Sequence, residues 1–358
     1  MTDHPTEPAA VPAAVPATES PTEREITADV SLCLPDGRLN PDAIGWSRAP
    51  VHDTSGIGRG LRGLGRNKRW EYWAVVTPDH VVALTTSALD YAALHQVWVL
   101  DRASGEEVDA VAIAPLTRTA SLPGRLGDGA VRSRTRAVAI AVDEVPAGTR
   151  LRARTARVEL DVTVARPSGR DLLAVVVPWS QQRFQYTVKD VGLPVTGVLR
   201  VDGVDLSVPA GSWAVLDHGR GRWPYRVAWQ WGVGVGSGVA EDGTVHEVAL
   251  QLGGTWTRQG PTTENGLIVD GRLHKVHDEL DWAFDRAAYT EPWRVCGERL
   301  DLAFVPAYDR VSRTQLGLVA SSTHQCFGAW SGWVMIDDGA RLDVDGLDGW
   351  AEDVAQRW

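Results

Sequence analysis

Val158-Glu159-Leu160-Asp161-Val162-Thr163-Val164 places an aliphatic residue at every second position and a polar one between each pair. Successive side chains of an extended chain point to opposite faces, so this run reads as a strand with one face toward a core and the other toward water. The same alternation returns at Val248, Leu250 and Leu252 around Glu247, Ala249 and Gln251, and at Leu300, Leu302 and Phe304 around Asp301 and Ala303. Residues 172–177 are apolar without interruption, as in a strand covered on both faces. Asp36-Gly37, Asp202-Gly203, Asp242-Gly243, Asp270-Gly271 and Asp338-Gly339 supply the turn chemistry of hairpins between such runs. Helical periodicity is confined to residues 87–97 and 350–358, which predict two short helices. The expected fold is therefore mainly β, with antiparallel sheets or barrels and few helices. A soft region from Pro194 to Pro209 suggests a junction, dividing the chain into a tail over 1–25, an N-terminal β unit over 26–205 and a C-terminal β unit over 206–358.

Composition narrows the class of protein. The first 25 residues are rich in Ala, Pro, Thr, Ser and Glu and carry too little apolar surface to offset ordering, so they predict a disordered tail. They lack the basic start and apolar middle of a secretion signal, and no run elsewhere is long enough to span a bilayer, which points to a cytoplasmic protein. The net charge of −10 argues against a general nucleic-acid binder. Cys33, Cys296 and Cys326 are odd in number and far apart, and read as reduced thiols. Sixteen tryptophans, each needing a partner for its N–H when buried, imply aromatic-lined walls.

The densest chemistry is Asp217-His218-Gly219-Arg220-Gly221-Arg222-Trp223-Pro224-Tyr225, running on into Trp229 and Trp231. Pro224 removes a ladder donor, so the segment is expected to be a loop or bulge entering a strand. Beyond it Val227, Trp229, Trp231, Val233 and Val235 share one face, while Gly232, Gly234 and Gly236 share the other. Three glycines on one face mean close approach by a ligand, or by a strand or ring at a sheet corner. The arginines either serve a site or pin a bend by pairing with Asp217. Three further clusters are Lys68-Arg69-Trp70-Glu71-Tyr72-Trp73, Trp179 with Phe184, Tyr186, Thr187 and Lys189, and Thr263-Glu264-Asn265-Gly266. On a strand Lys68, Trp70 and Tyr72 face one way and Arg69, Glu71 and Trp73 the other. Gathered together, these clusters would make a Trp-walled pocket with a few convergent polar groups.

Other signals fail on spacing. Leu61 stands where the third glycine of a dinucleotide fingerprint belongs, and no strand precedes the Gly-rich residues 56–65. His274 and His277, three apart on an expected strand, point to opposite faces and make a poor metal pair. No nucleophile elbow appears. Neither a metal nor a cofactor is expected.

The combination of Lys68-Arg69-Trp70-Glu71-Tyr72-Trp73, Tyr186-Thr187-x-Lys189, Asp217-x-Gly219-Arg220-Gly221-x-Trp223-Pro224-Tyr225, Trp229-x-Trp231, Glu264-Asn265 and Arg357-Trp358 resembles the bacterial family of domain of unknown function 2804. His218 and Gln230 depart from that pattern, where Trp and Asn are expected. More distantly, the layout is similar to the paired lipocalin-like folds of carotenoid hydratases. That resemblance implies a deep apolar cavity for a hydrophobic small ligand, in which a protonated acid starts hydration, cyclisation or isomerisation without a cofactor. On this reading Asp217, Arg220, Arg222 and Tyr225 are the catalytic candidates. Lys68, Trp70, Glu71, Tyr72, Lys189, Trp223, Trp229, Trp231, Glu264 and Asn265 are the ligand-binding candidates. The alternative is a non-catalytic carrier of a lipid or sugar using the same pocket.

Overall fold

The computed structural model describes residues 23–258, 260–316 and 319–357. Two curled antiparallel half-barrel sheets make up almost all of it. The first sheet is ordered, from one edge, Glu107–Pro115, Ala92–Asp101, His80–Ala88, Asn67–Val76, Trp213–Arg222, Arg183–Val201, Val158–Ala165, Gly148–Arg154, Ala139–Val145, Val131–Arg134 and Ala120–Ser121. Leu173–Ser180 branches from it by pairing with Arg183–Val201. The second sheet is ordered Arg272–Val276, Asn265–Val269, Val245–Gly254, Arg226–Ala240, Arg341–Arg357, Val319–Met335, Leu300–Leu316, Trp293–Cys296 and Asp281–Ala283. The alternating runs are strands as expected, and the turns work as their chemistry demands. Asp202 and Gly203 (φ 51° and 81°), like Asp270 and Gly271 (φ 48° and 79°), hold the left-handed pair that a tight two-residue hairpin needs.

Strand parity creates three cores. One face of the first sheet closes on itself around Leu151, Leu160, Tyr186 and Leu216. One face of the second does the same around Leu250, Leu302, Phe304 and Trp330. The outer faces pack back to back, with Trp213 stacked on Trp350 at 6.0 Å and Trp98 on Phe327 at 5.6 Å. Along the Trp213 strand, Trp213 and Val215 face the other sheet while Ala214 and Leu216 face the first core. Asp217 therefore continues toward the other sheet, and His218 continues into the first core.

Several expectations are corrected. Residues 87–97 are not a helix: Ser87 and Ala88 close the strand His80–Ala88, Asp90 turns the chain at φ 65°, and Ala92–Asp101 runs back. Residues 350–357 close the strand Arg341–Arg357, and Trp358 lies outside the described residues. The first window joins two strands across a turn, so its spacing is not the period of one element, and in the second Trp350, Ala351 and Glu352 are buried in succession, which hides the alternation that marks a strand. Among the described residues the helical content is one 3-10 turn, Pro41–Ala43, and no helix is long and apolar enough to cross a membrane. The expected division at 205/206 falls in a hairpin of the first sheet, where Val204–Leu206 pairs with Leu199–Val201. Pro194 is accommodated in the long strand just beyond a register shift between Val191 and Leu193. The chain changes sheet at Trp223-Pro224-Tyr225.

The tail reading also stops short. Residues 1–22 lie outside the described residues, but Glu23 is buried, and its carboxylate accepts from Lys275 Nζ at 2.9 Å and from Thr263. Lys275 is itself buried, which pulls its pKa down to about 8 against the attraction of Glu23. Removing one partner of a buried ion pair strands the other charge. Glu23→Ala is expected to lower unfolding free energy by about 3–5 kcal/mol in urea melts; a change under about 1 kcal/mol would place this pair with ordinary surface bridges.

Candidate functional site

Asp217 to Arg222 form a central strand rather than a loop, hydrogen-bonded to Asn67–Val76 on one side and Arg183–Val201 on the other. Its glycines make room for large neighbours. A Cβ on Gly219 would stand 2.1 Å from the Trp70 ring, so glycine lets that indole lie across the strand and donate from Nε1 to Asp217 Oδ2 at 3.1 Å. A Cβ on Gly221 would collide with Gln185, whose side-chain oxygen accepts from Trp223 Nε1 at 2.6 Å. The open question about Gly232 and Gly234 is answered by a ring: Trp330 packs against both and donates to Val233 O at 2.9 Å.

Where the outer faces of the two sheets part, they enclose a cavity of about 260 Å³. The first sheet contributes Trp70, Tyr72, Thr85, Ser87, Lys189 and Asp217, and Trp223 stands at the crossing between sheets. Trp229, Trp231, Trp256, Glu264, Arg310, Gln325 and Glu352 come from the second half of the chain. Trp223 is the hub of an aromatic cluster, with ring centroids 5.1 Å from Trp70, 5.7 Å from Trp179 and Trp229, and 5.6 Å from Trp256. Such edge-to-face contacts set the walls rigidly. A larger and more open groove of about 720 Å³, lined by Arg226, Arg313 and Arg357, lies beside the far ends of the second sheet's strands. The smaller cavity is the better candidate, because it gathers buried ionisable groups.

Lys189 is central to it. Its Nζ lies 3.2 Å from Asp217 Oδ1, 4.0 Å from Glu264 Oε2 and 3.9 Å from the centroid of Trp231. Asp217 also accepts from Thr187 Oγ1 at 3.2 Å. Glu264 accepts from Trp256 Nε1 through Oε1, while Oε2 has no hydrogen-bond partner among the described residues. Burial pushes the Glu264 carboxyl up to about 7, opposed by Lys189 and reinforced by Asp217. Burial likewise carries Glu352 up to about 7, although Trp229 Nε1 donates to it at 2.9 Å and Lys189 attracts it. Tyr72, pushed up to about 12 by burial, accepts from Gln325 at 3.3 Å. The pocket thus places two acids that exchange protons near neutrality beside an ion pair, a combination suited to general acid–base work.

Of the sequence candidates, Trp70, Tyr72, Lys189, Asp217, Trp223, Trp229, Trp231 and Glu264 line this cavity. Six do not. Arg220 and Arg222 alternate with Asp217 and point to the opposite face, so neither pairs with it. Arg220 donates to Trp70 O at 2.6 Å and Gly219 O at 2.9 Å and lies 3.8 Å from Glu71. Arg222 reaches Asn67 Oδ1 and Gly37 O. Glu71 sits beside His218 Nδ1 at 3.2 Å and accepts from Trp73 Nε1. Lys68 Nζ lies 3.1 Å from Tyr91 Oη, and Tyr225 lies under the Arg66 guanidinium. Asn265 bonds Gly253 N–H and Asp278 O. His274 and His277, three apart, reach different partners, Asp337 and Glu23. Glu352, Trp256, Arg310 and Gln325 were missed. An acid set among Trp350, Ala351 and Val354 was the available signal for Glu352, and the helical reading of that segment hid it.

The raised glutamates have a consequence for stability. A carboxyl near 7 when folded and near 4.5 when unfolded holds its proton in the native state while the unfolded chain has lost it. Its contribution is full below about 4.5 and is lost as pH rises through about 7. Glu264→Gln should match the parent at pH 4.5 and exceed its stability at pH 8 by roughly 1–3 kcal/mol in urea melts. A difference independent of pH would show that Glu264 ionises normally.

No curated protein matches the chain in sequence. Among solved structures, a protein assigned as AttH from Nitrosomonas europaea overlays with TM-score 0.48 and 14% identity, covering 80% of this chain and 92% of that one. Kievitone hydratase from Nectria haematococca overlays at TM-score 0.44 and 11% identity over 84% and 92% of the two chains, and CghA at 0.46 and 11% over 81% and 87%. Overlaps at this level carry no argument about activity. The family model of domain of unknown function DUF2804 matches residues 23–358, spanning both sheets and every residue of the pocket, and the chain belongs to that family.

Proposed function

We propose that the pocket between the sheets catalyses a cofactor-independent proton transfer on an apolar small molecule, as a lyase or isomerase. The observation that carries this reading is the pair of buried glutamates, Glu264 and Glu352, poised near 7 around the Lys189–Asp217 ion pair in a tryptophan-walled cavity. In its acid form Glu264 donates a proton to an unsaturated carbon, forming a C–H bond and leaving a cation on the neighbouring carbon. The faces of Trp70, Trp223 and Trp229 stabilise that cation and exclude water from all but the productive direction. Water then adds to the cation, or an adjacent C–H bond breaks to form a new double bond. The released proton returns to a carboxylate, so the site ends as it began. Asp217, held by Lys189, Trp70 and Thr187, orients the attacking water or accepts the departing proton. On this reading the glutamates, rather than the sequence candidate Asp217, donate the proton.

The test starts from whatever small molecule co-purifies with the protein, identified by mass spectrometry of a denatured extract and returned to the parent, Glu264→Gln and Glu352→Gln. An amide keeps the shape of the acid but exchanges no proton. Turnover should fall at least about a hundredfold in one or both variants while binding persists. A compound bound intact by the parent and never converted would make the protein a carrier.

A further inference from the structure

The hydroxyl and amide groups opposite the tryptophans narrow the chemistry of the ligand. Across the first sheet the registers run Gln96, Thr85, Tyr72, Asp217, Lys189 and, beside it, Leu94, Ser87, Trp70, Gly219, Thr187. Across the facing sheet they run Arg310, Gln325, Glu352, Trp231 and Ser312, Thr323, Val354, Trp229. The carboxylates, Lys189 and the indoles sit toward one end of these rows, and Thr85, Ser87, Ser312 and Thr323 toward the other, where Arg310 stands beside Ser312. Thr85, Ser87, Ser312 and Thr323 line the cavity, and their hydroxyls make no hydrogen bond to another protein group among the described residues. Gln356 Oε1, on the same wall, is buried without a hydrogen-bond partner among the described residues. The opposite end is walled by tryptophan and offers apolar faces to a flat group. At about 260 Å³ the cavity is at the small end for organic ligands, which suits one or two rings better than a long chain.

We propose that the pocket takes an oxygen-bearing unsaturated compound of one or two rings. Its flat end lies among Trp70, Trp223, Trp229 and Trp256, and its hydroxyl or carbonyl oxygens bond Thr85, Ser87, Ser312 and Thr323. This rests on the reading of the cavity as the ligand site, and makes the ligand amphipathic where that reading asks only for an apolar one. Oxygens anchored at the hydroxyl end fix which carbon of the flat end meets Glu264 or Glu352.

Two probes that differ by one hydroxyl, 2-naphthol and naphthalene, decide the matter by equilibrium dialysis against the parent protein. Hydrogen-bonding groups built for an oxygen discriminate against an analogue that lacks it. 2-Naphthol should bind at least about tenfold more tightly. Thr85→Val with Thr323→Val should move it toward the affinity of naphthalene while leaving naphthalene unchanged. Equal affinity of the two probes for the parent would overturn the proposed ligand class and leave the acid–base reading standing. Binding of neither probe would overturn both. The parent ratio decides even where the valine variant fails to fold, and naphthalene serves as the fold control where it does not.

Discussion

Lys189 carries the constraint on which the rest of the pocket depends. Its side chain is 5% exposed, and burying such a charge is costly unless it is paired and hydrogen-bonded. Asp217, directly opposite it on the neighbouring strand of the same sheet, supplies the nearer countercharge. Glu264 supplies a more distant one from the second half of the chain, and the Trp231 ring covers the ammonium. Within its own sheet the lysine has one countercharge, and its second one and its aromatic cover arrive only when the two sheets are together. One ammonium faces three carboxylates, so the site is over-supplied with acid, and burial keeps the two glutamates near the point where they hold or release a proton.

The arginine-rich motif works from behind the pocket. Because residues alternate, the strand that presents Asp217 to the cavity presents His218, Arg220 and Arg222 to the first core. Arg220, fully buried, donates to the backbone oxygens of Trp70 and Gly219, and so grips the two strands that carry the indole and the carboxylate. Glu71 and His218 meet beside it, burial holding the imidazole down at about 4 and hence neutral near pH 7. Pocket and buried network are thus two faces of one pair of strands, and the glycines at 219 and 221 let the indole of Trp70 and the amide of Gln185 close over that pair.

Much of the fold was legible in the chain itself. Alternating runs such as residues 158–164 and turns such as Asp270-Gly271 are local: the period and the left-handed pair are properties of a few adjacent residues, and the structure reproduces them. The split of Trp70 and Tyr72 from Glu71 and Trp73 follows from the same period, and those pairs do face apart. The reading failed at residues 87–97, where a turn between two strands falls inside one window, and at 350–357, where Trp350, Ala351 and Glu352 are buried in succession and no polar face announces the strand. It failed also at Glu23, since nothing local distinguishes an acid in an Ala- and Pro-rich stretch from one that meets Lys275.

The amino-acid sequence alone determined that this protein is built of antiparallel strands and which side chains share a face, and it placed Asp217, Trp223, Trp229 and Trp231 in one segment. Only the tertiary structure decided which faces meet. That choice put Arg220 and Arg222 behind the strand rather than against Asp217, and brought Glu352, 135 positions from Asp217, into the pocket. The reason is physical: period two sorts residues onto faces at no distance along the chain, whereas the partner of a face is settled by packing between sheets. The proton affinity of a buried carboxyl follows from that packing and from nothing nearer.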